Sequence, residues 1–181
     1  MKVIRTEIPD VMLLEPRVFE DARGVAFESY NRRTFQQAIG ADPVFVQDNR
    51  SISRRNVLRG LHYQVGCPQG KLITVVRGEI FDVAVDLRRR SPTFGRWAGF
   101  PLSESDRRMA WIPRGFAHGF LTLSDSAEII YKLDDFWSPP HERTLAWDDA
   151  EVGVRWPLQG EPVLSDKDRR GASLRAAELF D

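Results

Sequence analysis

Two stretches decide the fold: Arg59-Gly60-Leu61-His62-Tyr63-Gln64, followed by Gln69-Gly70-Lys71 and Gly78, and then Trp111-Ile112-Pro113-Arg114-Gly115-Phe116-Ala117-His118-Gly119-Phe120. Each carries one histidine in a short apolar run punctuated by glycine or proline, the pattern of a strand entered or left through a turn. The surrounding chain repeats that pattern. Lys71–Arg77 and Glu79–Leu87 flank a turn at Arg77-Gly78, and strands are also predicted near Val44–Asn49 and over Val57–Gln64, Gly95–Leu102, Arg107–Ile112, Gly119–Leu123, Glu128–Phe136 and Thr144–Trp147. Many short strands separated by Gly, Pro and Ser predict an all-β sandwich or barrel. Helix is expected at two places only. One is Arg33–Ile39, capped by Asn31 and stopped by Gly40; the other is a short surface helix over Ala172–Leu179.

Alternation gives each strand two faces. Over Val57–Gln64, Arg59, Leu61 and Tyr63 share one face, while Leu58, Gly60, His62 and Gln64 share the other. Gln47 and Asn49 lie on the face of Phe45, and Ile80, Asp82, Ala84 and Asp86 alternate with Phe81, Val83, Val85 and Leu87. Polar groups on an inward face imply a lumen that holds a ligand, although alternation does not say which face is inward. Asp82 and Asp86 fit a structural role as well as an acid–base one.

A chain of 181 residues fits one domain, residues 1–181, with one core. Its 26 Lys and Arg balance 26 Asp and Glu, so no overall field draws it to nucleic acid or an anionic membrane, and an anionic ligand needs a local basic cluster. Arg88-Arg89-Arg90 reads as a solvated strand end. Cys67 is the one cysteine, which rules out an intramolecular disulfide and suits a reducing compartment. Glu7, Pro9 and Asp10 interrupt the place a secretory apolar core would occupy, and no apolar run reaches spanning length. A cytoplasmic protein is expected.

The two histidine stretches resemble the paired motifs of the cupin superfamily, whose fold is a jelly-roll β-barrel; the second holds P-x-G-x-x-H at Pro113, Gly115 and His118. Metal-binding cupins draw three His and one Glu from these motifs. Here His62-x-Gln64 replaces His-x-His, and Pro68 and Gln69 occupy the region of the glutamate. Two imidazoles alone make a poor site for Zn²⁺ or Fe²⁺, so no metal is expected.

A narrower resemblance appears in FEDARGVAFESYN (residues 19–31), FVQDNRSIS (45–53), VLRGLHYQ (57–64), QGKL (69–72), GEIFDVAVDLRRRSPTFGRW (78–97), WIPRGFAHGF (111–120), IIYK (129–132) and LSDKD (164–168). Together these resemble the dTDP-4-dehydrorhamnose 3,5-epimerases over about Val3 to Asp168. The resemblance implies a cupin jelly roll with a few short peripheral helices, a homodimer, no cofactor, and dTDP-4-dehydro-6-deoxy-α-D-glucose as substrate. It places the base on His62, its carboxylate partner on Asp168, the proton donor on Tyr131, and the lysine near the 4-keto oxygen on Lys71. Substrate contacts fall on Arg23, Glu28, Gln47, Asp48, Asn49, Arg59, His118, Glu142 and Lys167. The ring that stacks on thymine falls on Phe136, where many relatives carry Tyr. Lys2–Ile8 is expected to add a strand to the partner's sheet.

The implied chemistry suits these residue types. Protons on C3 and C5 are acidic because each carbon flanks the C4 ketone. Inversion needs a base on one face, an acid on the other, and a cation for the enolate oxygen. Arginines match a diphosphate. Other readings compete: an epimerase that inverts only C3 or only C5, a metal-dependent cupin, and a non-catalytic sugar-nucleotide binder. The SPTFG string at Ser91–Gly95 leans toward the double epimerase.

Overall fold

A computed structural model describes residues 1–181. In chain order the strands are β1 (Lys2–Arg5), β2 (Met12–Glu15), β3 (Val18–Asp21), β4 (Gly24–Phe27), β5 (Gln47–Arg54), β6 (Leu58–Gln64), β7 (Lys71–Arg77), β8 (Glu79–Asp86), β9 (Trp97–Ser103), β10 (Met109–Ile112), β11 (Phe116–Thr122), β12 (Ser126–Leu133) and β13 (Glu142–Thr144). Two helices accompany them, α1 (Arg32–Ile39) and α2 (Asp166–Arg169). A six-stranded sheet runs β1-β2-β10-β7-β12-β5, a five-stranded sheet runs β13-β6-β11-β8-β9, and β3 and β4 form a separate hairpin. Every strand pair is antiparallel. This is the expected cupin-type jelly roll.

Side-chain alternation builds three apolar layers. Between the sheets, Ile73, Val75 and Ile129 of the larger sheet meet Ile80, Phe116 and Phe120 of the smaller. On the outer face of the smaller sheet, Leu61, Tyr63, Val83 and Val85 are covered by Leu145, Val152, Leu174 and Ala177 from the chain after β13. On the outer face of the larger sheet, Met12, Leu14, Leu72, Met109 and Trp111 are covered by Phe35 of α1. That helix is set as its sequence predicts. The Asn31 side chain accepts from the amides of Arg33 and Thr34, and Gly40 ends it in the left-handed region at φ 71°.

Three departures from the sequence reading have physical causes. The β2 strand and the β3–β4 hairpin lack clear alternation, and burial defines β2 through neighbours distant in sequence. No helix forms over Ala172–Leu179, because Ala172 pairs with Leu145 and Phe180 with Arg88, which draws this tail along the sheet. The strand predicted from Val44 begins at Gln47 and continues to Arg54.

The seam between β6 and β11 carries a fourth correction. His118 pairs with His62 but Phe120 pairs with Arg59, so β6 holds one residue more than β11 across this interval. Such a bulge reverses the alternation, and Arg59 and His62, which strict period two assigns to opposite faces, both face one cavity. At the bulge the backbones touch. A Cβ on Gly60 would lie 2.7 Å from the Cα of Gly119, and Gly60 has φ 119°. Gly60→Ala should therefore lower stability by roughly 2 kcal/mol or more, measured by urea unfolding; a stability equal to the unsubstituted protein would mean the seam can spread at little cost.

Candidate active site

A cavity of about 400 Å³ opens between the two sheets at one end of the barrel. The larger sheet contributes Gln47 and Asn49 from β5, Lys71 from β7 and Tyr131 and Leu133 from β12; the smaller contributes Arg59 and His62 from β6, His118 from β11 and Glu142 from β13. Lys167 of α2, Gln69 and Trp137 complete its edges. The far end of the barrel is filled largely by the apolar layer, and the ionisable groups named here gather at this mouth.

His62 and Asp168 form a dyad. The imidazole Nε2 lies 2.5 Å from Asp168 Oδ1, although the residues are 106 apart in sequence. Asp168 is brought there by α2, whose N-cap Ser165 accepts from the Asp168 amide at 3.2 Å and donates its hydroxyl to Oδ2 at 2.8 Å. Burial pushes the carboxyl up, but the bonds to His62 and Ser165 and the charge of Lys167 outweigh it, and the group is held below the usual carboxylate range. Burial lowers the His62 imidazole, and Lys167 and Lys71 act the same way; Asp168 only partly opposes them. At neutral pH the pair is therefore a neutral imidazole beside a carboxylate. The carboxylate holds the proton on Nε2 and leaves the other ring nitrogen as a base.

Lys71 is almost fully buried and donates to the backbone carbonyl of His62 at 3.0 Å. Desolvation lowers its ammonium to about 8, against the charges of Asp82 and Glu142, which raise it. Next to it stands a second dyad, His118 Nε2 at 2.8 Å from Asp82 Oδ2. His118 sits directly across from His62 in the strand register. Arg59 donates from Nε to Ser53 at 2.9 Å, and no carboxylate pairs with its guanidinium. Lys167 pairs with Glu142 at 2.9 Å.

The cavity gathers His62, Lys71, Tyr131, Gln47, Asn49, Arg59, His118, Glu142 and Lys167, with Asp168 directly behind His62. Four expected residues lie outside it. Asp48 faces the opposite side of β5 and pairs with Lys132 at 2.9 Å, as alternation with Gln47 and Asn49 requires. Arg23 is exposed in the β3–β4 hairpin and pairs with Asp21, and Glu28 accepts from Asn31 beyond that hairpin. Phe136 is 63% exposed and does not line the cavity, whereas its neighbour Trp137 does. Trp137 is absent from the expected site residues, adjacency to Phe136 being its only signal, whereas Asp82, one of the two aspartates open to a structural or an acid–base role, proves to be the partner of His118. Asp86 and the SPTFG string are structural: Arg88, Ser91 and Thr93 all bond to the buried Asp86 carboxylate, and none of them lines the cavity.

The sequence model for dTDP-4-dehydrorhamnose 3,5-epimerase matches residues 5–176. The chain belongs to the dTDP-4-dehydrorhamnose 3,5-epimerase family. It is 58% identical to the dTDP-4-dehydrorhamnose 3,5-epimerase of Pseudomonas aeruginosa, over 99% of both chains. With the enzyme of the same name from Salmonella typhimurium it shares 53% identity over 100% of both. The fold matches a crystal structure of the dTDP-6-deoxy-D-glucose-3,5-epimerase of Legionella pneumophila in complex with dTDP-4-keto-L-rhamnose, at 42% identity and a TM-score of 0.96, covering 99% of this chain and 97% of that one. Membership in the epimerase family accords with a jelly roll whose polar mouth holds a histidine–aspartate dyad and a buried lysine. No helix is long and apolar enough to cross a membrane.

Two titrations follow from these surroundings. His62 should lose its proton below the usual imidazole value of about 6.5, and Asp168→Asn should move it lower still by removing the group that favours imidazolium. Lys71 should titrate near 8, and Glu142→Gln should move it lower. Both are read by NMR of labelled imidazole and lysine side chains; an upward shift in either variant would contradict the assigned causes.

Proposed function

We propose that this chain inverts C3 and C5 of dTDP-4-dehydro-6-deoxy-α-D-glucose, giving dTDP-4-dehydro-L-rhamnose. The observation that carries the reading is the placement of two proton-transfer groups on opposite walls of one cavity: the His62–Asp168 dyad on the smaller sheet and the Tyr131 phenol on the larger. A sugar ring lying between the sheets presents one face to each.

In this reading His62 takes the proton from C3 or C5, and the C–H electron pair passes through the ring to the C4 oxygen as an enolate. Asp168 stabilises the imidazolium. Lys71, buried and as ammonium, supports the enolate oxygen. Tyr131 returns a proton to the opposite face of the carbon, and the negative charge leaves the enolate as the ketone re-forms. Exchange with solvent reprotonates the phenol and releases the imidazolium proton, so nothing is oxidised or reduced and no cofactor is required. Both histidines at the mouth are already paired with carboxylates, a donor set built for proton transfer and hydrogen bonding.

Arg59, with its guanidinium free of any carboxylate, is assigned to the diphosphate together with Lys167. Gln47, Asn49, His118 and Glu142 border the sugar. The thymine is assigned to the aromatic edge formed by Phe136 and Trp137. Arg23 and Glu28 reach a site only if the hairpin extends to another subunit. Its exposed Phe19, Val25 and Phe27, and the unpaired outer edge of β1, fit that use in a homodimer. The reducing cytoplasm, where the Cys67 thiol persists, is the assigned setting.

Incubation with the substrate in D₂O, without added metal, should erase the NMR signals of both H3 and H5. Loss of one signal alone would identify a single-centre epimerase, and loss of neither from folded protein would refute the reading. His62→Ala should lower turnover by roughly 10²–10⁴-fold while its circular dichroism stays unchanged. Sedimentation at micromolar concentration should give a dimer; a monomer would remove the second-subunit role of Arg23 and Glu28.

A further inference from the structure

The chain between Asp134 and Ser138 forms one edge of the cavity and carries Phe136 and Trp137, yet it belongs to no strand or helix. Its backbone groups must find partners elsewhere; Gly70, Arg114, Asp135 and His141 supply some, and three glutamine side chains supply four more. Gln69 donates to the Asp135 carbonyl at 2.9 Å. Gln64 donates from Nε2 to the Phe136 carbonyl at 3.1 Å and accepts the Ser138 amide on Oε1 at 2.7 Å. Gln47 accepts the Trp137 amide on Oε1 at 2.9 Å.

Gln64 is the central member. It is only 3% exposed, and its amide also donates to the Cys67 carbonyl at 2.9 Å. One side chain thus ties the strand of His62, the 65–68 loop and the aromatic edge together, using both ends of a group that donates and accepts. Neither a carboxylate nor an imidazole could make this set, because two carbonyls and one amide face it at once. The position is the second histidine slot of a metal-binding cupin motif, and here its polar atoms are engaged by three backbone groups and, at 3.6 Å, by the Cys67 sulfur.

We infer that Gln64 is a positioning residue that sets the Phe136–Trp137 edge and thereby the affinity for the nucleotide half of the substrate, leaving proton transfer to His62 and Tyr131. The affinity part rests on the proposed function; the positioning part does not. Gln64→Ala should raise KM and the dissociation constant for dTDP by about tenfold or more, the scale of cutting a buried hydrogen-bond set on a binding wall, and change kcat by less than about threefold. Gln64→Glu should not restore affinity, since its second oxygen would face the carbonyls of Cys67 and Phe136. Gln64→Met keeps the volume and serves if the alanine variant does not fold. In ligand-free protein, acrylamide quenching of Trp137, isolated by comparison with Trp137→Phe, should increase in all three variants. Unchanged quenching in a folded Gln64 variant would overturn the positioning role. Increased quenching with unchanged dTDP affinity and KM would overturn the link to the nucleotide. An unsubstituted protein that neither binds dTDP nor turns over would instead fail the proposed function, with the quenching result still deciding the positioning role.

Discussion

The close approach of β6 to β11 at Gly60 and Gly119 is the constraint on which the site depends. A Cβ on Gly119 would lie 2.6 Å from the carbonyl oxygen of Arg59, and one on Gly60 would meet the Gly119 backbone. With both side chains absent, the bulged strand stays against its neighbour and its phase shifts by one residue. That shift turns Arg59 into the cavity beside His62 and leaves Leu61 and Tyr63 on the outer apolar layer. A regular strand would have to choose between the cation and the base. The bulge allows both within four residues of chain.

The second demand is to keep ionisable groups dry without leaving them alone. Lys71, Asp82, His118 and Asp168 are all buried, and each would be costly if unpaired. The barrel meets this by arranging them in contact: Asp168 with His62 and Ser165, Asp82 with His118, Lys71 with a backbone carbonyl and two carboxylates nearby. The consequences run in opposite directions. The carboxylate of Asp168 stays ionised, the imidazole of His62 stays neutral, and the ammonium of Lys71 is left with a proton it releases near 8. The same enclosure that threatens stability thus sorts the groups into the charge states that the proposed proton transfer would use.

How much of this is legible in the sequence follows from how local each cause is. Lys71–Arg77 and α1 are read almost to the residue, because a turn glycine, a cap and a clean period lie within them. Gln47 and Asn49 do share a face, but Phe45, assigned to the same face, precedes the strand and packs on the outer layer against Phe35 and Trp111; the same alternation already argues against Asp48 as a lining residue. The pairing of His62 with Asp168 came through the family motif, since no local pattern links residues so far apart. The Arg59–His62 face was misread because a bulge is a property of two strands and shows in neither alone. The tail around Ala172 has helical composition, and tertiary pairing overrides it. Gln64 looked like a lost metal ligand; its work is defined by a segment more than seventy residues downstream.

The carboxylate of the dyad arrives late. Asp168 lies in the segment that wraps the outside of the smaller sheet and is clasped where Phe180 pairs with Arg88, whereas the base, the lysine and the phenol are all in place by Tyr131. As the chain emerges during synthesis, the barrel strands can pair before Ser165 is made, and His62 meanwhile lacks the group that fixes its proton. Formation of the dyad is thereby tied to completion of the wrap. The wrap is laid over the smaller sheet from outside, and α2 brings both Asp168 and Lys167 to the cavity with it, so the charge of the mouth is completed by a segment that belongs to neither sheet.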